Sequence, residues 1–210
     1  MTGSADPPTR FDDLLAGILA DPAAEAALLA HHQIRAAVLV LGYSGSAQRL
    51  AADGPAYALA LARAAERAFA TAFDADDARL HRRLRDGLLL VFDTPLHALT
   101  AALDGLVALD GLNRGRTGTI GDGTRSDPIT AAIGLGFGDL LLDPGQDATS
   151  AEVNHTLHLA GAATSGEILA TESFLAALGT PSLGVGTHRA RTARISAVGL
   201  TFHEIRDYRD

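Results

Sequence analysis

The sequence predicts an α+β domain in which a mixed sheet packs against helices. Three observations carry that expectation. Short apolar runs of strand character alternate along the chain with longer stretches whose apolar residues recur at helical spacing. An Asp-Gly pair, Asp86-Gly87, separates two of the strand-like runs and is a hairpin signal. The chain closes on two further strand-like runs, Arg189–Ser196 and Thr201–Ile205, so strands lie on both sides of a long helical stretch.

Residues 1–9 are polar and contain Pro7-Pro8, the pattern of a flexible tail. Phe11, Leu14, Leu15, Ile18 and Leu19 then recur at helical spacing, Asp21-Pro22 interrupts them, and a second helical stretch covers Ala24–His32. Residues 1–33 are thus expected to form a tail with amphipathic helices, and 34–210 the main domain. Ala36–Leu41 reads as a buried strand ended by Gly42. Ser46–Ala52 is expected to form a helical turn, and Ala56–Phe73 an Ala-rich helix stopped by Asp74–Asp77. Arg79–Arg85 approximates strand alternation, Leu88–Phe92 is its returning partner, and Leu96–Leu112 is an amphipathic helix. Asn113–Pro128 has almost no apolar content and is expected to be a flexible loop. Two strands, Ile129–Phe137 and Leu140–Leu142, are expected on either side of Gly138-Asp139. A helix over Ser150–Ala163, a short strand over Glu167–Ala170 and a short helix over Ser173–Leu178 complete the order. No internal repeat is evident.

Composition narrows the functions available. Hydrophobic residues make up 47% and charged residues 20% of the 210, the balance of a globular chain that buries a core of its own. There is no cysteine, so thiol chemistry is excluded and a zinc site would need His and carboxylates. A net charge of −8 disfavours nucleic acid as a partner, because such binding rests on Lys and Arg neutralising phosphates. The first residues lack a basic segment followed by an apolar core, and no apolar run approaches the roughly 20 residues that span a bilayer. A cytoplasmic protein without a membrane span is expected.

The order of small motifs resembles the catalytic domain of the class III adenylyl/guanylyl cyclases. That family opens with a strand carrying a metal-binding Asp, followed three residues later by Gly-Phe-Thr; here the strand ends Leu39-Val40-Leu41-Gly42-Tyr43-Ser44. The family's hairpin carries Gly-Asp-Gly and then a Phe, matched by Arg85-Asp86-Gly87 and Phe92. Its Ile-Gly-x-x-x-Gly strand matches Ile133-Gly134-Leu135-Gly136-Phe137-Gly138. Its helix signature, Asp-x-x-Gly-x-x-Val-Asn-x-x-x-Arg-Leu, aligns with the segment from Asp147 to Leu159, and Gly-Glu-Ile-Leu follows as Gly166-Glu167-Ile168-Leu169. The resemblance spans about Ile34 to Leu178. It implies a ferredoxin-like core, a mixed sheet flanked by helices, with the N-terminal helical segment added.

The resemblance also implies a chemistry, and this chain departs from it. Family members cyclise a nucleoside triphosphate through two divalent cations held by two Asp side chains. Asp86 aligns with the second of these, and Leu39 stands where the first is expected. Leucine has no lone pair for a hard cation. Asp86 is equally well explained as a turn residue, since Asp-Gly favours hairpins whatever the function. Arg82 and Asp147 align with the Lys and Asp that read the base. The alternatives are that Arg79, Arg82, Arg83 and Arg85 form a solvated edge, and that Asp147 is a loop residue near a helix start. Asn154 aligns with the ribose-orienting Asn, and His158 replaces the Arg that stabilises charge on the α-phosphate. Losing one such donor costs on the order of 10²–10³ in rate. With an equal loss at the first carboxylate, roughly 5 kcal/mol of transition-state stabilisation is gone. His155 and His158, three residues apart, lack a third ligand for zinc. Gly134–Gly138 has neither the Lys-Ser/Thr nor the helix start of a phosphate loop, and reads as a place of close backbone approach at a dimer seam or bulge.

Three functions follow as expectations. The first is a catalytically degenerate cyclase-homology domain, a homodimer that serves as a signalling or ligand-binding module, with Arg82, Asp147 and Asn154 as nucleotide contacts. A heterologous signalling protein is an alternative partner. The second is an active but divergent cyclase using Mg²⁺ or Mn²⁺, with a substitute carboxylate from Asp74–Asp77 or Glu152. The third is an interaction protein that docks through its N-terminal helix.

Overall fold

The computed structural model describes residues 11–44, 51, 54–72, 78–117, 128–143, 147–179, 185–195 and 198–207. Two helices, α1 (Phe11–Gly17) and α2 (Pro22–His32), open the chain. Asp21 caps α2, its carboxylate accepting from Ala23 N at 2.9 Å, and Pro22 sits at the first helical position, where a missing N–H costs nothing. The chain passes from α2 directly into β1 (Gln33–Ser44). Then come α3 (Pro55–Ala70), β2 (Ala78–Leu84), β3 (Gly87–Phe92), α4 (Pro95–Thr117), β4 (Thr130–Asp143) and β5 (Asp147–Thr149). The order ends with α5 (Ala151–Ala162), β6 (Ile168–Thr171), α6 (Glu172–Leu178), β7 (Val185–Ile195) and β8 (Val198–Asp207).

The strands form one sheet in the order β2-β3-β1-β4-β6-β8-β7, with β5 paired to β4 off that path. Only β4 and β6 run parallel, joined by α5 as the crossover; every other pairing is antiparallel. The sheet is therefore mixed, as the sequence predicts. Because side chains alternate across a strand, β1 feeds two cores. Ala37, Leu39 and Leu41 face a large cluster with Leu61, Ala65 and Phe69 of α3 and Leu99 and Leu103 of α4. Val38 and Val40 face a second cluster with Leu89, Val91, Val153 and Ala160, on the α5 side. β1 and β3 are fully buried from Ala36 to Leu41 and from Gly87 to Phe92, as expected for strands covered by helices on both faces.

Several elements run further than sequence patterning indicates. Gly138-Asp139 does not break β4, because the strand stays paired with β1 through that point, Gly138 opposite Ala36 and Asp139 opposite Arg35. The helix α4 continues past Asn113 to Thr117, so the first part of the expected loop is helical; residues 118–127 lie outside the described ones. The Asn113 side chain ties this end to the start of β4, donating to Ile129 O and accepting from Ile129 N, both at 2.8 Å. The expected turn at Ser46–Ala52 and the acidic run Asp74–Asp77 also fall almost wholly outside the described residues.

The glycines of β4 have a clear cause. Gly134, Gly136 and Gly138 share the face that α5 lies on. A Cβ at Gly134 would sit 2.3 Å from Thr156 O, and one at Gly136 2.1 Å from Thr156 Oγ1. The close approach expected from the sequence is therefore to the chain's own helix.

Candidate functional site

A groove of about 660 Å³ opens where β1 ends, between the β2–β3 hairpin and the C-terminal half of α5. Its wall is largely aliphatic, with Val40, Leu41 and Leu84 on the sheet side and Leu157 and Ala160 on the helix. The charged groups on the wall are Arg85 and Asp86, at the hairpin turn. Tyr43 N donates to Asp86 O at 2.9 Å, which fixes the turn beside the end of β1. Gly87 allows this, since a Cβ there would sit 1.8 Å from Leu41 O. The Asp86 carboxylate is exposed and has no hydrogen-bond or ion-pair partner among the described residues.

The register settles where Leu39 stands. It lies opposite Leu90 on β3 and Leu135 on β4, is 0% exposed, and belongs to the cluster under α3 and α4. It is four residues along β1 from Tyr43, or about 13 Å from the Asp86 turn at roughly 3.3 Å per residue. Position 39 thus lies within the strand, several residues from the Asp86 turn, and the strand end beside that turn is formed by Gly42 and Tyr43. There the residues on the groove are Leu41, Gly42 and Tyr43, none with a carboxylate.

Arg82 and Asp147, aligned in the sequence with one function, do meet in space. Leu80, Arg82 and Leu84 share the face of β2 that turns towards β5, and the Arg82 guanidinium forms an ion pair with Asp147 Oδ1. The same Asp147 oxygen accepts from Ala148 N at 2.8 Å. Asp147 is the first residue of β5 rather than a loop residue. Arg79, Arg83 and Arg85 are exposed and Arg82 half-exposed, and three of the four pair within the chain: Arg79 with Asp93, Arg82 with Asp147, and Arg83 with Glu66.

Asn154 and His158 lie on α5 one turn apart, both exposed, and neither lines the groove that Asp86 borders. Ser150 caps this helix, accepting from Val153 N at 3.1 Å. His155 Nδ1 is 3.9 Å from Glu152 Oε2, and among the described residues no metal-binding group of three forms around His155 and His158.

Two polar centres escaped the sequence reading. Glu152 Oε1 accepts from Phe137 N at 2.9 Å, Thr171 Oγ1 at 2.6 Å and Ser173 Oγ at 2.8 Å. It satisfies the β4 amide just beyond the last residues paired with β6 and ties α5 to the start of α6. Glu152 is thereby committed on the far side of α5 and does not reach the groove. On the other face of the sheet, Glu66 of α3 accepts from Arg63 Nη1 at 2.9 Å and from Arg83 Nε, also at 2.9 Å. The Arg83 hydrogen bond, chiefly, holds the Glu66 carboxyl below the ordinary carboxylate range, against the opposing effect of burial. Burial, and then the Glu66 charge, push the nearby Tyr43 phenol well above its ordinary value, and its hydroxyl is buried without a hydrogen-bond partner among the described residues.

No protein-family model matches the sequence, and no curated protein matches it either. Solved structures do match. The guanylyl cyclase Cya2 superposes with a TM-score of 0.70 at 17% identity, over 82% of this chain and 92% of that one. The adenylyl cyclase CyaB from P. aeruginosa gives 0.64 at 13% identity, over 84% and 97%. The guanylyl cyclase domain of the RhoGC fusion protein from the aquatic fungus Blastocladiella emersonii, in an atypical dimeric form, gives 0.61 at 13%, over 82% and 97%. The chain has the class III cyclase fold.

Whether that fold's two divalent cations suit these residues is decided by the donor set. A hard cation takes six or more oxygens, carboxylates foremost. The groove wall offers one carboxylate, Asp86, with the Arg85 cation beside it. Among the described residues there is no group of three or more His, Asp or Glu side chains able to hold a metal. The described residues do not fit a two-cation centre.

Proposed function

We propose that this chain is a cyclase-fold signalling module, a dimer that binds a small ligand and does not cyclise nucleoside triphosphates efficiently. The carrying observation is the groove at the end of β1, where Asp86 is the only carboxylate among the described residues and the strand beside it contributes Leu41, Gly42 and Tyr43. His158 adds to the reading, because an imidazole cannot make the forked two-point contact of a guanidinium. So does Arg82, which is satisfied by Asp147 within the chain.

Incubating the protein with ATP or GTP and Mg²⁺ or Mn²⁺ tests this proposal. No cyclic nucleotide above the protein-free control is expected. Robust product that disappears in Asp86→Ala would establish the divergent-cyclase reading instead. A second reading draws on the N-terminal pair, where Leu15 and Leu29 are partly exposed and Leu19, just after α1, is 98% exposed. If those helices make the dimer contact, deleting residues 1–32 will halve the mass seen by light scattering. An unchanged mass rules that out.

A further inference from the structure

The groove that suits a metal-bound triphosphate poorly has a chemical character of its own. Its volume, about 660 Å³, falls within the roughly 300–1,000 Å³ of sites that hold drug-sized ligands. Val40, Leu84, Leu157 and Ala160 give it apolar walls. Two features of negative potential border that apolar space. One is the Asp86 carboxylate, unpartnered among the described residues. The other is the C-terminal end of α5, whose Ala160 and Gly161 lie on the wall.

The helix end is not capped in the usual way. Ala163 N donates to Leu159 O at 2.8 Å and closes the last intrahelical bond. The next donors turn elsewhere, Thr164 N to Glu167 Oε2 at 2.8 Å and Gly166 N to Ala131 O at 2.7 Å. The carbonyls of the final turn, from Ala160 onward, are left without intrahelical donors and form the negative pole of the helix dipole. Ala160 O is directed to the strand end, 3.7 Å from where a Cβ on Gly42 would stand.

We propose that the groove binds an organic cation, an ammonium group carried on an apolar body, with the charge between Asp86 and the end of α5 and the body against Leu84 and Leu157. This rests on the reading that the groove does not hold the cation pair of a working cyclase. Arg85 is the opposing charge on the same wall, and it makes the proposal sharper, because removing it should strengthen binding.

The test titrates the full chain, by ligand-observed NMR at pH 7, with 4-phenylbutylammonium, neutral 4-phenylbutanol and anionic 4-phenylbutyrate. The ammonium probe is expected to bind at least tenfold more tightly than the alcohol, and the carboxylate more weakly than either. Asp86→Asn should abolish the ammonium preference while keeping the fold, since Asn-Gly also favours the turn. Arg85→Gln should tighten ammonium binding severalfold. Equal binding of the three probes, no binding, preference for the anion, or a preference that survives Asp86→Asn would each overturn the proposal. Cyclic nucleotide formation in the parallel turnover assay would mark failure of the underlying reading instead. A null turnover result without ammonium preference would mark failure of the ligand class alone.

Discussion

The two sides of α5 are built to different standards. Its inner face lies on β4 so closely that Gly134 and Gly136 admit no side chain, and Glu152 gathers a backbone amide and two hydroxyls on one carboxylate oxygen. Its outer side borders a groove in which, among the described residues, the Asp86 carboxylate has no partner and the final carbonyls lack intrahelical donors, and Leu157 is partly exposed. The inner contact is specified to tenths of an ångström; the outer one is left unsatisfied. The difference teaches that the scaffold and the chemistry of this fold are separable. Close packing and hydrogen bonding hold the helix in place whatever side chains its outer surface displays, so the fold stands while its groove carries a single carboxylate.

Substitutions on the inner side should produce the largest effects. Gly134→Ala sets a methyl against the helix backbone at Thr156 O, which α5 relieves only by lifting off the sheet. A loss of about 3 kcal/mol is expected in urea unfolding. Glu152→Ala strands the Phe137 amide and loosens α5 from α6, for about 2 kcal/mol by the same measurement. An unchanged midpoint for both variants would mean that the inner contact is not specified as described.

The Glu66 pairing on the opposite face of the sheet should matter less and should depend on pH. A carboxyl whose folded pKa is held below its unfolded value, about 4.3 for Glu, adds stability above that pH. That contribution is lost as pH falls through the folded value. Glu66→Gln should cost about 1.5 kcal/mol at pH 7. The cost should shrink as unfolding is repeated at pH values descending below the ordinary carboxylate range. A cost independent of pH would break the assignment to Arg83. Smallest is Arg82→Ala, expected to cost less than about 1 kcal/mol, since the ion pair with Asp147 is partly exposed on both sides. A double-mutant cycle with Asp147→Ala reads that coupling directly.

Much of the fold is legible in the sequence because its signals are local. Asp86-Gly87 marks the hairpin, and the helical spacing of Leu61, Ala65 and Phe69 marks the buried face of α3. What escaped depends on pairing across the sheet. Gly138-Asp139 resembles a break, yet β1 runs beside it and keeps β4 extended. The low apolar content of Asn113–Pro128 signals a loop, yet α4 continues through Gly115 to Thr117, with the Asn113 amide engaged at Ile129.

The candidate site divides the same way. Arg82 and Asp147 were marked by alignment and do meet, but that they satisfy each other required coordinates. Leu39 was marked by counting back from Gly42, and only the register, Leu39 opposite Leu90 and Gly42 opposite Gly87, shows that the strand end beside Asp86 is Gly42 and Tyr43. Glu152 stood out only as a candidate substitute carboxylate, and its structural role was not legible, because that role comes from three donors on two distant segments.

The account stands or falls on whether a lone carboxylate on an aliphatic strand end gathers divalent cations. Titrating the protein with Mn²⁺ and following free ion by electron paramagnetic resonance, with a non-hydrolysable triphosphate analogue present at saturation, measures this directly. The predicted result is no binding beyond what the analogue takes up alone, and the same curve for Asp86→Ala. Two ions per chain or per dimer, lost together in Asp86→Ala, would contradict it.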